Sequence, residues 1–583
     1  MYRYVDTLDD ILDLREWFGR QPYIALDTET TGVNVFDKDF HVRLIQFGNK
    51  NDAWVMHGER WTGFVDDILR DFQGRIVIHN SAFDVAALAS SNITVPWEKI
   101  DDTLIAMRLA EPQRNAGLKD VAGRLISSTA ANSQQELHTA MKKYKWGWDT
   151  VPHDLPEYRF YAGMDVILTS RLYEHKICRR GLASPVYEME MDVRAICSAM
   201  EHGGMRVDIP FAQGTADRFR QEAYNLSQQI QNEQGFSISS GPQLAKWLLE
   251  RGVKLSVLTG GGSPLVSKDA LEVARYSATG EAAYVMDAVL RSRRITKLAG
   301  SYFDNFVNMS TDGLLHPQIQ TLQARTGRMS ITNPAMQTLP RVSEDDPDAK
   351  LVRQAIIPRE DNHLIVSSDF SQIELRIIAS LSEDPALIAA FREADETEGD
   401  IFVSAMRLVY NDPTLTKSDN RRALIKNTFY GSAYGAGISK MAQTAKVSVE
   451  DMRSVADAVF GRFAGMRRYM KVCEKESIDN DNWITTPMGR RIWVDPDRSY
   501  KALNSKVQSF AGDIFKTTMV NLAHAGLTDY MVCPVHDEVV FSIPESEIEE
   551  VSHVISEVMP YNNLLVSVPA DPSPGVKDWS LAK

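Results

Sequence analysis

In the first 180 residues, short apolar runs alternate with stretches whose apolar positions recur every three or four residues. Tyr23-Ile-Ala-Leu-Asp27, Val42-Arg-Leu-Ile-Gln-Phe47 and Arg75-Ile-Val-Ile-His79 read as buried strands, and helical spacing follows at residues 83–90 and around 103–109. That alternation predicts an α/β domain over residues 1–180. A break is expected at residues 181–185, after the basic Lys176, Arg179 and Arg180 and before a new helical run at 186–201. Residues 186–305 look mostly helical, interrupted by a flexible loop at 260–264, Gly-Gly-Gly-Ser-Pro. Strands return between 310 and 400, notably His363-Leu-Ile-Val-Ser-Ser-Asp369. Helices resume over 400–480, and the last hundred residues mix helix with a hairpin at 531–544. The acidic clusters at 344–348 and 393–400 are expected to be solvated loops.

At 583 residues, 44% hydrophobic and 24% charged, the chain is long enough for several globular domains. It lacks an apolar run of about 18 residues, so no membrane partner is expected. It also lacks a basic-then-apolar start, so a cytoplasmic protein is expected. Cys178, Cys197, Cys473 and Cys533 are widely spaced, which disfavours both a disulfide scaffold and a thiolate zinc site. Charge argues against an easy nucleic-acid reading. The formal net charge is −14, of which residues 1–180 carry −4 and the remainder −10. Any nucleic acid would have to meet a local positive surface.

Asp27-Thr-Glu29 closes the first strand, and side chains two apart on a strand share a face. Carboxylates that close repel unless cations lie between them, which suits hard oxygen-ligated ions such as Mg²⁺ or Mn²⁺. Caps or solvated acids fit this one segment equally well. Asp84 lies in His79-Asn-Ser-Ala-Phe-Asp84, and Tyr161 and Asp165 are one helical turn apart. In this order the three segments resemble the DEDD superfamily of 3′–5′ exonucleases, in its tyrosine-containing branch. The resemblance implies that Asp27, Glu29, Asp84 and Asp165 hold two metal ions and that Tyr161 positions the attacking water.

Further on, Asp369-Phe-Ser-Gln-Ile-Glu374-Leu-Arg376 places an acid at the end of an apolar strand and another in the first turn of a helix. Ser371 as helix cap with Glu374 three residues on would explain the same residues without chemistry. Arg422, Lys426, Tyr430 and Tyr434 recur every four residues and form one helical stripe suited to a triphosphate attached to a base and sugar. An ordinary surface stripe with aromatics in the core is the alternative. His536-Asp537-Glu538 sits between two apolar strands.

Together these three segments resemble motifs A, B and C of family A DNA polymerases, the bacterial DNA polymerase I and related phage group. Tyr187-Glu-Met-Glu-Met-Asp192, Gly203-Gly-Met-Arg-Val-Asp208, Thr326-Gly-Arg328-Met-Ser330 with Asn333, Pro334 and Gln337, and the pair Asn504 and Gln508 extend the likeness. The resemblance implies a ribonuclease H-like exonuclease domain, 1–180, followed by a right-hand polymerase domain, 181–583. Within the latter, the thumb would span about 205–310, the palm about 311–400 and 481–583, and the fingers about 401–480. It also implies two Mg²⁺ per site, replaceable by Mn²⁺, held in the polymerase by Asp369, Asp537 and the Phe370 carbonyl, with Glu538 as accessory acid. Arg422, Lys426, Tyr430, Tyr434, Glu374 and Gln372 would meet the nucleotide. Lys426 would be the proton donor to pyrophosphate, and Glu374 would exclude a ribose 2′-hydroxyl. Arg328, Asn504, Gln508 and His536 would meet primer-template DNA. The basic cluster with Arg294 and Lys297 would track phosphates along the thumb, making binding steeply salt-dependent.

Some positions depart from the family pattern. Tyr430 stands where many bacterial members have Phe, which goes with ready incorporation of dideoxynucleotides. Phe402 stands where His is frequent, and Tyr500 where Arg is frequent. The 5′ nuclease domain is expected to be absent, and residues 291–316 leave no room for a large thumb insertion. The expected protein is a monomeric, phage-type replicative polymerase acting on primer-template DNA and dNTPs, with replisome proteins as candidate partners. A bacterial repair polymerase, a nuclease whose C-terminal part grips DNA, and a non-enzymatic scaffold are the alternatives.

Overall fold

The computed structural model describes residues 2–130, 132–255, 264–340, 342, 346–397 and 399–582. The first domain is built on a six-stranded mixed sheet in the order β1-β4-β3-β2-β5-β6. Its strands are β1 (Tyr2–Val5), β2 (Tyr23–Thr30), β3 (Val42–Gly48), β4 (Ala53–His57), β5 (Arg75–Ile78) and β6 (Ile100–Asp102). Central strand β2 runs parallel to β5 and antiparallel to β3. It continues three residues beyond the expected Asp27, which carries Glu29 on the strand. Helices pack against the sheet through an apolar core that includes Phe18 in edge-on contact with Phe47 and Phe72, with ring centroids 5.0 and 5.5 Å apart. The helices that serve the site are α1 (Ser81–Ser90), α2 (Leu118–Leu125) and α3 (Pro156–Glu174).

Helix α4 (Tyr187–Gly203) joins this domain to the next. Its first residue, Tyr187, accepts a hydrogen bond from the Asp102 amide at 2.9 Å. One turn on, Glu190 enters a buried ionic cluster of the second domain, bonding Lys516 at 2.7 and 2.8 Å and also Arg490. Asp513 completes that cluster, accepting from Arg490 Nε at 2.6 Å and Thr486 Oγ1 at 2.8 Å. Lys516 also donates to the carbonyls of Thr321 and Gly327, each at 2.7 Å, and so fixes the segment that leads to Arg328.

Two long helices, α5 (Ile209–Gln234) and α6 (Gly280–Leu298), carry a tip with its own small core, from Ile230 through Trp247 to Val289. Residues 260–263 of the expected flexible loop lie outside the described residues. Among several small sheets of the second domain, the one at its site has three antiparallel strands, β7 (His363–Asp369), β8 (Met531–Val535) and β9 (Glu538–Pro544), with β9 in the middle. Asp369 is in register with Glu538, and Val535 with the same Glu538, so His536 and Asp537 form a two-residue turn at the sheet's end. Between β7 and β8 in sequence, the described residues from Ile373 to Asp479 are mostly helical, as the pattern over 400–480 predicts.

The acidic clusters are not simply solvated loops. Residues 393–396 close the helix Pro385–Glu396, where Asp395 pairs with the buried Arg376. Asp400 caps the helix Ile401–Tyr410. Asp346 caps Pro347–Gln354, while Glu344 and Asp345 lie outside the described residues. Caps satisfy free amides at helix starts and hold these acids in fixed places.

Candidate active sites

In the first domain, β2 projects Asp27 and Glu29 toward Asp165, which α3 presents one turn after Tyr161. One carboxylate oxygen from each of Asp27, Glu29 and Asp165 lies within 4.8 Å of the others. Asp84, in the first turn of α1, does not join that trio. Its Oδ1 accepts from the Thr28 amide at 2.9 Å and from Thr28 Oγ1 at 2.7 Å. It stays close enough for its charge to be felt at Glu29, and the charge of Asp27 is felt at Asp84 in turn.

These acids are in an electrostatically unfavourable place. Burial pushes the Asp27 carboxyl up to about 7, opposed by the charge of Lys119. Burial, then the charge of Asp27, drives Glu29 and Asp84 well above the usual carboxylate range. Tyr161 is raised by burial and by Glu29 and Asp27, which keeps its hydroxyl protonated and beside the acids. A converging set of buried carboxylate oxygens with so little counter-charge fits a hard divalent cation.

Lys119 is the residue the sequence did not disclose. It lies on α2, pairs with Asp165, and sits 4.6 Å from the centre of the Tyr161 ring. Burial pushes its ammonium down to about 8, while Asp27 and Glu29 act to raise it. No spacing links position 119 to the acids, because its helix follows a separate turn of the chain.

In the second domain, Asp369 ends β7 and Asp537 occupies the turn beside it, where the Phe370 amide donates to the Asp537 carbonyl at 3.3 Å. Burial foremost, with Asp369 adjacent, pushes the Asp537 carboxyl upward. His536 holds a left-handed backbone, φ 61°, at the same turn. Glu538, the expected accessory acid, lies directly across the sheet from Asp369. Its Oε1 accepts from Ser367 Oγ at 2.5 Å and Trp579 Nε1 at 2.8 Å, and its Oε2 lies 3.7 Å from Arg353. That carboxylate is committed to holding the strands and the chain end together.

Helix α7 (Ile373–Ser382) follows Asp369. Gln372, not Ser371, is its N-cap, in a left-handed conformation and without a capping bond, so the capping explanation fails. The Gln372 Oε1 is buried without a hydrogen-bond partner among the described residues. Glu374 is tied from two sides, by Arg328 and by the Tyr434 hydroxyl at 2.6 Å.

Helix α8 (Arg421–Ala433) carries Arg422, Lys426 and Tyr430 on one stripe, with Tyr434 one residue past its end. Phe402 organises that stripe. Arg422 and Lys426 each lie 5.7 Å from its ring centre and the Tyr430 ring 5.8 Å away. Tyr430 and Tyr434 are near parallel, with centroids 6.1 Å apart. Arg422 pairs with Asp400, the last residue of the acidic cluster at 393–400.

Helix α9 (Ala502–His524) presents Asn504, Gln508 and Gly512 on one face, and a Cβ at Gly512 would sit 3.8 Å from Arg328 Cγ. Arg328 and the Gln508 face thus adjoin. The basic cluster around Arg294 is partly paired. Arg294 pairs with Asp346, and Arg291 with Glu222 and Asp348, while Lys297 is exposed. Only part of that patch is open cationic surface.

A nuclease-type sheet with one carboxylate centre, joined to a palm-like sheet with a second and faced by a helical layer bearing cations, defines a polymerase with a built-in nuclease domain. Comparison with known proteins agrees. The 3′–5′ exonuclease family pattern matches residues 2–176, and that of DNA polymerase family A matches residues 210–580. The DNA polymerases of Mycobacterium phage D29 and Mycobacterium phage L5 are each 29% identical over 602 residues, covering 99% of this chain and 96% of theirs. DNA polymerase I of Chloroflexus aurantiacus is 28% identical over 600 residues, covering 95% of this chain and 61% of that protein. A solved structure, the POL domain of Pol1 from M. smegmatis in complex with DNA primer-template and dNTP, shares the fold at a TM-score of 0.81. Its identity is 22%, over 100% of both chains. The chain belongs to DNA polymerase family A and is a DNA polymerase with an N-terminal 3′–5′ exonuclease domain.

Proposed function

We propose that this polymerase extends primed DNA templates with dNTPs and removes mispaired 3′ ends at the separate nuclease centre, copying a phage genome in the host cytoplasm as a monomer. The observation that carries this reading is the meeting of Asp369 and Asp537 at one end of the palm sheet. The phage reading rests on relatives that this chain matches along 96% of their length. On this reading residues 1–180 form the nuclease domain and 181–583 the polymerase.

In the polymerase reaction, the primer 3′-oxygen bonds to the α-phosphorus of a dNTP, the bond to pyrophosphate breaks, and the hydroxyl proton passes to solvent water. Paired Mg²⁺ ions, or Mn²⁺ in their place, would supply Lewis acidity when bound. Asp369, Asp537 and the Phe370 carbonyl would hold one pair, and Asp27, Glu29, Asp84 and Asp165 the other. Arg422 and Lys426 neutralise the triphosphate, and Lys426 gives a proton to the departing pyrophosphate. Tyr430 meets the sugar and base, Tyr434 the templating base, and Glu374 fills the space of a 2′-hydroxyl. The unpartnered Gln372 Oε1 is free to accept from the incoming nucleotide. Arg328, Asn504, Gln508 and His536 hold the primer-template. At the nuclease centre, Tyr161 orients the water that attacks the terminal phosphodiester.

Gel-resolved primer extension with Mg²⁺ tests both centres. The intact chain should extend, Asp537→Ala should only shorten the primer, and Asp27→Ala should extend without shortening. An intact chain that only shortens primers under every dNTP condition would overturn the polymerase assignment.

A further inference from the structure

Lys119 is a cation placed where a nuclease of this design holds metal ions. Its side chain is 16% exposed and that of Asp165, its ion-pair partner, 8%. Asp27 and Glu29 also act on it, and its Nζ lies over the Tyr161 ring. Arg43 also faces Glu29, yet its guanidinium is bonded to the carbonyls of Trp148 and Val151. In the absence of metal, Lys119 is therefore the cation in direct contact with the acids among the described residues.

Four clustered carboxylates, three of them buried, would without counter-charge repel one another or take up protons. A lysine ammonium is a compact point charge on a flexible four-carbon stem, so it can enter such a pocket and leave it again. An oxygen of Asp165 paired with an ammonium is not available to a metal ion at the same time. We propose that Lys119 is the resident counter-cation of the nuclease centre, a positioning residue that holds the carboxylates together without metal and is displaced from Asp165 when a divalent cation enters. Metal affinity at this centre is then set by competition with the protein's own side chain. The inference rests on the reading of this centre as a divalent-cation site.

The test is Mn²⁺ binding to the full chain, followed by the electron paramagnetic resonance signal of free Mn²⁺, in an Asp537→Ala background that weakens the polymerase centre. Lys119→Met should tighten binding at the nuclease centre at least roughly tenfold, the scale of one unit charge a few ångströms away. Lys119→Gln, which is neutral but keeps a donor for Asp165, should tighten it likewise, while Lys119→Arg should stay within about threefold of the parent. Without metal, the Lys119→Met melting temperature should fall below the parent's, and saturating Mn²⁺ should close the gap. Binding by Lys119→Met and Lys119→Gln no tighter than the parent's would overturn the proposal. Asp27→Asn separates the two levels of argument. If it binds Mn²⁺ as tightly as the parent does, the centre holds no cation, and the reading beneath the proposal fails as well.

Discussion

Removing the ammonium of Lys516 should loosen the polymerase core from inside. This side chain is 1% exposed and bonds Glu190 and the carbonyls of Thr321 and Gly327. Lys516→Met keeps most of the volume but leaves Glu190 sharing Arg490 with Asp513. Breaking one partner out of a buried pair costs about 3–5 kcal/mol, and two carbonyls lose their donor besides. With partial relaxation, a loss of about 4 kcal/mol is expected, which for a domain of roughly 400 residues lowers Tm by about 5 °C. Thermal unfolding followed by tryptophan fluorescence measures it. The double variant Glu190→Gln/Lys516→Met leaves Arg490 and Asp513 as a balanced pair and should recover at least half of the loss. A single variant melting within about 2 °C of the parent would refute the reasoning, as would a double variant less stable than the single.

The nuclease acids give a pH-dependent stability in EDTA. A carboxyl whose folded pKa is raised contributes stability that is complete below its unfolded value of 3.8 and is lost as pH rises through about 7, as for Asp27. Metal-free melting temperatures should therefore fall across that window, and Mg²⁺ should flatten the profile; a flat profile in EDTA contradicts the burial argument. Glu374→Ala frees both Arg328 and Tyr434 and should reduce the preference for dNTPs over ribonucleotides roughly 10- to 200-fold in single-nucleotide kinetics. Tyr430→Phe keeps the ring against Phe402 and Tyr434 but removes the hydroxyl. The dideoxynucleotide concentration that halves extension should rise about tenfold, the worth of one net hydrogen bond.

What was legible in the sequence was whatever lies along one element. Asp27 and Glu29 share a strand face, Tyr161 and Asp165 a helix turn, and Arg422, Lys426 and Tyr430 a helix stripe, so their spacing carried the information. The strand His363–Asp369 and the hairpin after it were likewise readable from their apolar runs. Lys119, Asp400 and the Glu190–Arg490–Lys516–Asp513 cluster depend on chain segments meeting in space, some separated by more than 300 positions, and no local period records that. Glu538, directly across the sheet from Asp369, is held by Ser367 and by Trp579, contacts between distant segments that its position beside Asp537 does not reveal.

The pairing of Arg291 and Arg294 with Glu222, Asp346 and Asp348 bears on how such a surface would take up a duplex. Each guanidinium already rests against an internal anion, so a strand laid there exchanges a carboxylate for a phosphate and sheds few solution ions. Free lysines, by contrast, would contribute in full to the salt dependence of binding. The slope of log Kd against log salt should then be shallower than the number of arginines along the duplex suggests. Grip at these positions is decided by which of two anions the guanidinium fork fits better, and a backbone that offers phosphates at the wrong interval leaves the protein closed on its own acids.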